Sequence, residues 1–293
     1  MKIVSFHAHG AEGELRLGVE TDNGVVDVRS AAEAAGVPVP HTARELIAGG
    51  DEALAQLNRV LASAPETVDA QELRYGPPVP DPDKLICVGA NYRKHSEEAG
   101  LPVPEQPIYF AKYRNSLVGH DATVAIPAAT RKVDYEVELV VVIGRPAHQV
   151  SVDEALDHVF GYATGNDLSA RDLQMRASQW MYGKAIDGFA PLGPGLVTAD
   201  EVPDPQGLTL KLSVNGEVRQ DSSTKDMVFS VAELVSDLSQ IMTLEPGDLI
   251  YTGTPEGVIL GREDKVWLEP GDEVTCEVGG FGRLTTTMGR ADS

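Results

Sequence analysis

Polar and apolar positions alternate over residues 132–138 of this chain and then give way to a continuous apolar run. The stretch KVDYEVELVVVIG places Asp134, Glu136 and Glu138 at every second position, ahead of Val140, Val141, Val142 and Ile143. Strand side chains alternate between faces, so the pattern predicts a strand with three carboxylates on one side, entering a core. Elsewhere MKIVSFH and ELRLGVE read as short strands, and DEALAQLNRVLASA has the apolar spacing of an amphipathic helix. Leu85 to Val88 reads as a strand ended by Gly89, and Val159 to Thr164 as one broken at Gly165. Ser151 with Glu154 and Ser230 with Glu233 have capping-box spacing, which predicts two further helices.

Turn residues set the organisation. YGPPVPDPDK packs four prolines into ten residues and predicts a boundary: a small N-terminal α+β part over residues 1–75, a linker over 76–83, and a large domain over 84–290. In EPGDLIYTGTPEG and LEPGDEVTCEVGGFG, Pro-Gly-Asp introduces an apolar run each time, as in a β-rich domain. The expected fold class is α+β, mainly β.

Composition narrows the partners. With 293 residues and 42% hydrophobic content, the chain can bury one large core or a large and a small one. The net charge of −21 opposes nucleic acid and anionic membrane surfaces. A small anionic substrate stays compatible if a metal or local Lys and Arg residues reverse the sign. Cys87 and Cys276 are the two cysteines, too few for a disulfide framework, which fits a reducing compartment. The opening residues lack the apolar core of a signal peptide, with Glu12 and Glu14 arriving early, and no window is long and apolar enough to span a bilayer. A cytoplasmic protein is therefore expected. No Gly-rich phosphate loop points to a nucleotide.

Several residue groups carry candidate chemistry. Carboxylates at i and i+2 have Cα atoms about 6.5 Å apart, close enough for their oxygens to converge on one ion, although a solvated strand face has the same spacing. Asp167, in GNDLSARDLQ, sits where a strand leads into a helical pattern, as a pocket residue or as an N-cap. If that segment is helical, Arg171 and Gln174 share its face. Carboxylates without nearby His or Cys suit Mg²⁺, Mn²⁺ or Ca²⁺ better than zinc. His95 and Glu98 stand at i, i+3, either as a base and its orienting acid or as an exposed charged cluster. Lys184 lies in the apolar stretch WMYGKAIDGFAPLGP, as a partly buried cation or one that snorkels to the surface.

Taken together, VGANYRKHSEE, FAKYRNSLVG, VDYEVELVVVIG, GYATGNDLSARDLQ, GKAIDGFAPLGP and GDLIYTGTPEGV resemble the fumarylacetoacetate hydrolase family. The resemblance is to the branch with acylpyruvate hydrolases, homoprotocatechuate-pathway isomerases and decarboxylases, and diketo-deoxy-sugar-acid hydrolases. It implies a mixed β-roll behind a small N-terminal domain, a homodimer, and Mg²⁺ or Mn²⁺ as cofactor, with Ca²⁺ as a crystallisation substitute. It implies Glu136, Glu138 and Asp167 as metal ligands, and His95, Glu98 and Lys184 as catalytic residues. Arg171, Gln174 and Thr254 would bind substrate, and Asp134 would serve structural hydrogen bonds. Val88 stands where fumarylacetoacetases proper carry a fourth acidic ligand, which implies three protein carboxylates on the metal. The implied activity is metal-dependent hydrolysis of a C–C bond in a small 2,4-diketo acid, giving pyruvate or a related 2-oxo acid plus a carboxylic acid. The alternative is an oxaloacetate-type decarboxylase or a 2-hydroxydienedioate isomerase using the same metal-enolate chemistry. A non-catalytic metal-binding scaffold would bind the ion without turning over any 2-oxo acid.

Overall fold

Short apolar runs at the start of the chain form strands β1 (Lys2–His7), β2 (Arg16–Thr21) and β3 (Gly24–Asp27), followed by helices α1 (Val28–Ala35) and α2 (Ala43–Leu61) and strand β4 (Arg74–Gly76). The computed structural model describes residues 1–7, 15–98, 100 and 102–291, so Glu12 and Glu14 lie outside the described residues. The span of α2 is broken at Gly50 (φ 53°, ψ −139°), so the predicted helix begins where DEALAQLNRVLASA begins. Thr42 caps the short helix before it by accepting a hydrogen bond from the Glu45 N–H.

The larger part of the chain begins with β5 (Leu85–Gly89), helix α3 (Arg93–Glu98), β6 (Ile108–Lys112), β7 (Leu117–Val118), β8 (Ala122–Ile126) and β9 (Val133–Asp134). Next come β10 (Val137–Ile143), β11 (Val159–Asn166), β12 (Ser169–Ala170), and the one-turn helices α4 (Arg171–Gln174) and α5 (Met181–Lys184). Strands β13 (Ala190–Thr198), β14 (Thr209–Val214) and β15 (Glu217–Ser223) lead to helix α6 (Val231–Ile241). Strands β16 (Leu249–Tyr251), β17 (Glu273–Val278) and β18 (Arg283–Arg290) complete the described chain. The architecture is mixed, mainly β, as the sequence leads one to expect.

A large mixed sheet runs in the order β3-β2-β1-β13-β11-β10-β16-β5-β6, and a second sheet in the order β15-β14-β17-β18-β8. The N-terminal strands belong to the large sheet, because β1 pairs with β13 (Lys2↔Val197, Ile3↔Leu196). Strand β10 lies at its centre, antiparallel to both β11 and β16, and every one of its residues is buried. Val140 and Val142 pack into one apolar cluster with Leu46, Leu57 and Leu192, while Leu139, Val141 and Ile143 pack into the other with Leu212, Leu234 and Val274. That two-sided burial explains the unbroken valine run and rules out the solvated strand face.

Two local expectations fail for packing reasons. Strand β11 runs through Gly165 to Asn166. A Cβ on Gly165 would stand 2.5 Å from Val140 Cγ2 and 2.6 Å from the Tyr251 ring, so this glycine admits neighbours and does not end the strand. The Ser151–Glu154 pair makes its hydrogen bonds but leads only into a turn and the 3₁₀ segment Ala155–His158. Ser230 and Glu233, by contrast, form a complete capping box at the head of α6. Ser230→Ala should therefore cost about 1 kcal/mol of stability in urea unfolding. Ser151→Ala, with no helix behind it, should stay within about 0.5 kcal/mol of the parent.

Candidate metal centre and active-site pocket

The three alternating acids do not share one continuous strand. Asp134 ends β9, which pairs with β12, and the ladder to β11 begins only at Val137. The break sends Asp134 elsewhere. Its carboxylate accepts the N–H groups of Tyr135, Ile259 and Leu260 at 2.9, 2.8 and 3.0 Å and Arg171 Nε at 2.8 Å. Glu136 is held by its main chain: its N–H donates to Asn166 Oδ1 at 3.0 Å, and its carbonyl accepts the Asp167 N–H at 2.9 Å. That second bond draws Asp167 to the β10 end, so Glu136, Glu138 and Asp167 bring one oxygen each within 4.8 Å of one another, all buried. Among the described residues this is the one such group. Asp167 is not on a helix. Strand β12 separates it from α4, so Arg171 and Gln174 approach by tertiary folding and not by helical spacing.

Buried cations enclose the acids. Lys184 Nζ donates to Glu136 Oε2 at 2.7 Å and Asp167 Oδ2 at 2.6 Å. Arg171 donates to Glu136 Oε1 at 2.5 Å and Gln174 Oε1 at 3.1 Å. Lys184 is only 2% exposed, so the snorkelling alternative does not hold. A further cation escaped the sequence reading. Lys112, at the end of β6, is fully buried, pairs with Asp167 Oδ1 and donates to the Leu168 carbonyl at 3.0 Å and to the Phe189 carbonyl. Its one sequence signal is a lysine closing the apolar pattern IYFAK.

Burial would raise the Glu136 carboxyl, but Lys184 and Arg171 outweigh burial and hold it at about 2. Among the described residues no cation pairs with Glu138. Burial first, then the charges of Asp167 and Glu136, push it well above the carboxylate range. Lys184 is destabilised by burial yet raised on balance by Asp167 and Glu136, which keeps it charged. The result is a buried, anionic, all-oxygen donor set with an acid in excess, which fits a hard divalent cation such as Mg²⁺ or Mn²⁺.

One cavity of about 300 Å³ collects most of the expected residues: His95, Glu136, Arg171, Gln174, Lys184 and Thr254 all line it, with Val88, Phe110 and Trp180 as apolar wall. Val88 adds no ligand, as expected from its side chain. Glu98 does not line the cavity. It is 3.9 Å from His95 Nδ1, too far for a hydrogen bond, because its carboxylate accepts the Gly257 N–H at 3.0 and 3.2 Å. His95 Nδ1 is accordingly buried without a hydrogen-bond partner. The Thr254 hydroxyl donates to the Val137 carbonyl at 2.9 Å. Both Cys87 and Cys276 are buried free thiols.

Residues 84–288 match the family described as Fumarylacetoacetate (FAA) hydrolase C-terminal. Bos taurus mitochondrial oxaloacetate tautomerase FAHD2A is 42% identical over 286 residues, which span 96% of this chain and 90% of that protein. The structure of fumarylacetoacetate hydrolase (EaFAH) from psychrophilic Exiguobacterium antarcticum superposes with a TM-score of 0.85 at 35% identity, over 99% of this chain and all of the other. Maleylpyruvate hydrolase from Sphingobium sp. SYK-6, in complex with manganese(II) and pyruvate, gives 0.82 at 29% identity over the full length of both chains.

Two outcomes follow for melting experiments. A carboxyl whose folded value is raised, as at Glu138, favours the fold at low pH and loses that contribution as pH rises through the folded value. A cation that replaces the proton restores it, so Mn²⁺ should raise the melting temperature more at pH 8 than at pH 5.5. Lys112→Met strips a cation from the buried Asp167 and should cost about 3–5 kcal/mol, with Mn²⁺ recovering more melting temperature than in the parent.

Proposed function

The chain belongs to the fumarylacetoacetate hydrolase family, and on that premise we propose a divalent-metal-dependent enzyme that interconverts the enol and keto forms of a small 2-oxo dicarboxylic acid of the oxaloacetate type. The observation that carries the reading is one cavity lined by Glu136 of the acidic triad, the Lys184 ammonium and the His95 imidazole, with Glu138 and Asp167 buried behind Glu136. The FAHD2A relative, named as an oxaloacetate tautomerase, supports in part the alternative drawn from the sequence: it shares the oxaloacetate substrate class but is named for neither decarboxylation nor dienedioate isomerisation.

Each group has a task in this reading. Glu136, Glu138 and Asp167 would hold the ion, which supplies Lewis-acid neutralisation of charge developing on the 2-oxo oxygen. Lys184 and Arg171 present positive charge to an anionic substrate in a chain whose overall charge is −21. Gln174, held by Arg171, offers its amide to the substrate. His95 exchanges the proton at carbon through Nε2, with Nδ1 on the side of Glu98. The apolar wall of Val88, Phe110 and Trp180 limits water at the reacting carbon. A homodimer is the assembly we expect. No helix among the described residues is long and apolar enough to cross a membrane. The bovine relative is named mitochondrial and lends no support to the cytoplasmic location expected from the sequence.

Hydrolysis of a 2,4-diketo acid is the second reading, favoured by the likeness to a maleylpyruvate hydrolase. It would need Glu98 to leave the Gly257 N–H and reach His95, 3.9 Å away, to assist deprotonation of a water. The two are separated by following the enol absorbance of oxaloacetate and, in parallel, pyruvate release from simple acylpyruvates. Tautomerisation predicts accelerated enol decay that EDTA abolishes and Mn²⁺ restores. His95→Asn should lower kcat by about 10²–10⁴, and Glu136→Ala should abolish the metal response. Pyruvate release with no effect on enol decay would overturn the tautomerase reading in favour of hydrolysis.

A further inference from the structure

Strand β16 covers β10 only from Val140 to Val142, so the open side of β10 below that point needs other partners. Thr252 continues the ladder, donating to the Leu139 carbonyl through its N–H at 3.1 Å and its hydroxyl at 2.8 Å. At Val137, which lies between the two glutamates of the triad, side chains take over entirely. Gln220 Oε1 accepts the Val137 N–H at 3.0 Å, and the Thr254 hydroxyl donates to the Val137 carbonyl at 2.9 Å. Gln220 Nε2 closes the ring by donating to Thr254 Oγ1 at 3.0 Å.

Gln220 comes from the second sheet, on β15, and is 1% exposed. The pairing of β14 with β15 shifts register between Leu212↔Gln220 and Ser213↔Val218, a bulge of the kind that re-aims a side chain. Gly257, at φ 98°, allows the close approach: a Cβ there would lie 2.2 Å from the Arg219 carbonyl oxygen. The amide orientation is forced. Its nitrogen also faces the Pro255 and Glu256 carbonyls at 2.9 and 3.2 Å, and its oxygen faces an N–H, so the flipped amide would fail at all of these contacts.

We propose that Gln220 is a positioning residue of the metal centre, holding the peptide between Glu136 and Glu138 and fixing the hydroxyl of Thr254. The proposal rests on the reading of the triad as a divalent-metal site. It has a consequence for the ligand. The single Thr254 proton is committed to the Val137 carbonyl and one lone pair to Gln220, so toward a ligand the Thr254 hydroxyl can act only as an acceptor. A ligand oxygen that carries a proton, such as an enol hydroxyl, is the complement.

The test is Mn²⁺ titration by calorimetry on the full chain, with melting temperature measured alongside. Gln220→Met keeps the volume and removes both hydrogen-bonding functions, and should weaken Mn²⁺ roughly 10- to 100-fold. Thr254→Val should weaken it similarly and Thr254→Ser should restore it. The double variant should be no weaker than the stronger single effect, because both act on the Val137 peptide. A lowered melting temperature with unchanged Mn²⁺ affinity in Gln220→Met overturns the proposal. Where that variant does not fold, unchanged affinity in Thr254→Val overturns it. Parent protein that takes up no Mn²⁺ overturns the metal reading itself, a result distinct from variants that bind like the parent.

Discussion

The structure depends on balancing charge where water is excluded. Asp134, Glu136, Glu138 and Asp167 are buried together with Lys112, Arg171 and Lys184, four acids against three cations. An uncompensated charge in a low-dielectric interior costs several kcal/mol, so the excess acid must take a proton or meet another cation. Glu138, whose carboxyl is raised by burial and by the charges of Asp167 and Glu136, is the acid most disposed to the proton. A divalent ion in its place turns the cluster from a deficit of one positive charge to a surplus of one. That surplus is what a small anion requires, and it arises locally within a chain of charge −21. Overall acidity and an anionic substrate are therefore compatible.

Such a cluster needs a scaffold that does not relax around it. Strand β10 supplies one because both faces of its apolar half are packed, Val140 and Val142 into one core and Leu139 and Val141 into the other. The carboxylate half begins where the ladder to β16 has ended: there Thr252, Gln220 and Thr254 take over the open edge, and Glu136 and Thr254 line the cavity. Rigid anchoring and an open site are thus two ends of the same strand.

Much of the site is legible in the sequence. Period-2 alternation puts Glu136 and Glu138 on one face, and the family resemblance adds Asp167, His95 and Lys184. Other features depend on information that local pattern does not contain. Alternation counts residues but is blind to a change of partner strand, so it could not separate Asp134, on β9 against β12, from the acids of β10. The i, i+3 spacing of His95 and Glu98 fixes their common helix face but not the Gly257 N–H that captures the carboxylate from across the fold. Lys112 ends a strand, where lysine is ordinary, and only the arrival of Asp167 from β11 makes it a buried partner. Gly165 shows the same limit: a helix or strand breaker in local terms, it is here a contact surface for Val140 and Tyr251.

The cavity has two walls of different character. On one, Glu136, Arg171, Gln174 and Lys184 are fixed by hydrogen bonds among themselves and to Asp134, Asn166 and Asp167 behind them, each member buried. On the other, His95 and Glu98 ride on the six-residue α3, secured at its end by the Glu98–Gly257 bond, with an imidazole nitrogen left unbonded. Metal-assisted enolate stabilisation asks for fixed charge, while the steps that differ among tautomerase, decarboxylase and hydrolase concern where a proton or a water is delivered. The unbonded Nδ1 makes the imidazole the less constrained partner, because no hydrogen bond selects its tautomer. A shift of Glu98 from Gly257 toward His95 would select one and convert a proton carrier into an oriented base. On the proposed function, fixed charge belongs to the rigid wall and proton delivery to the short helix opposite.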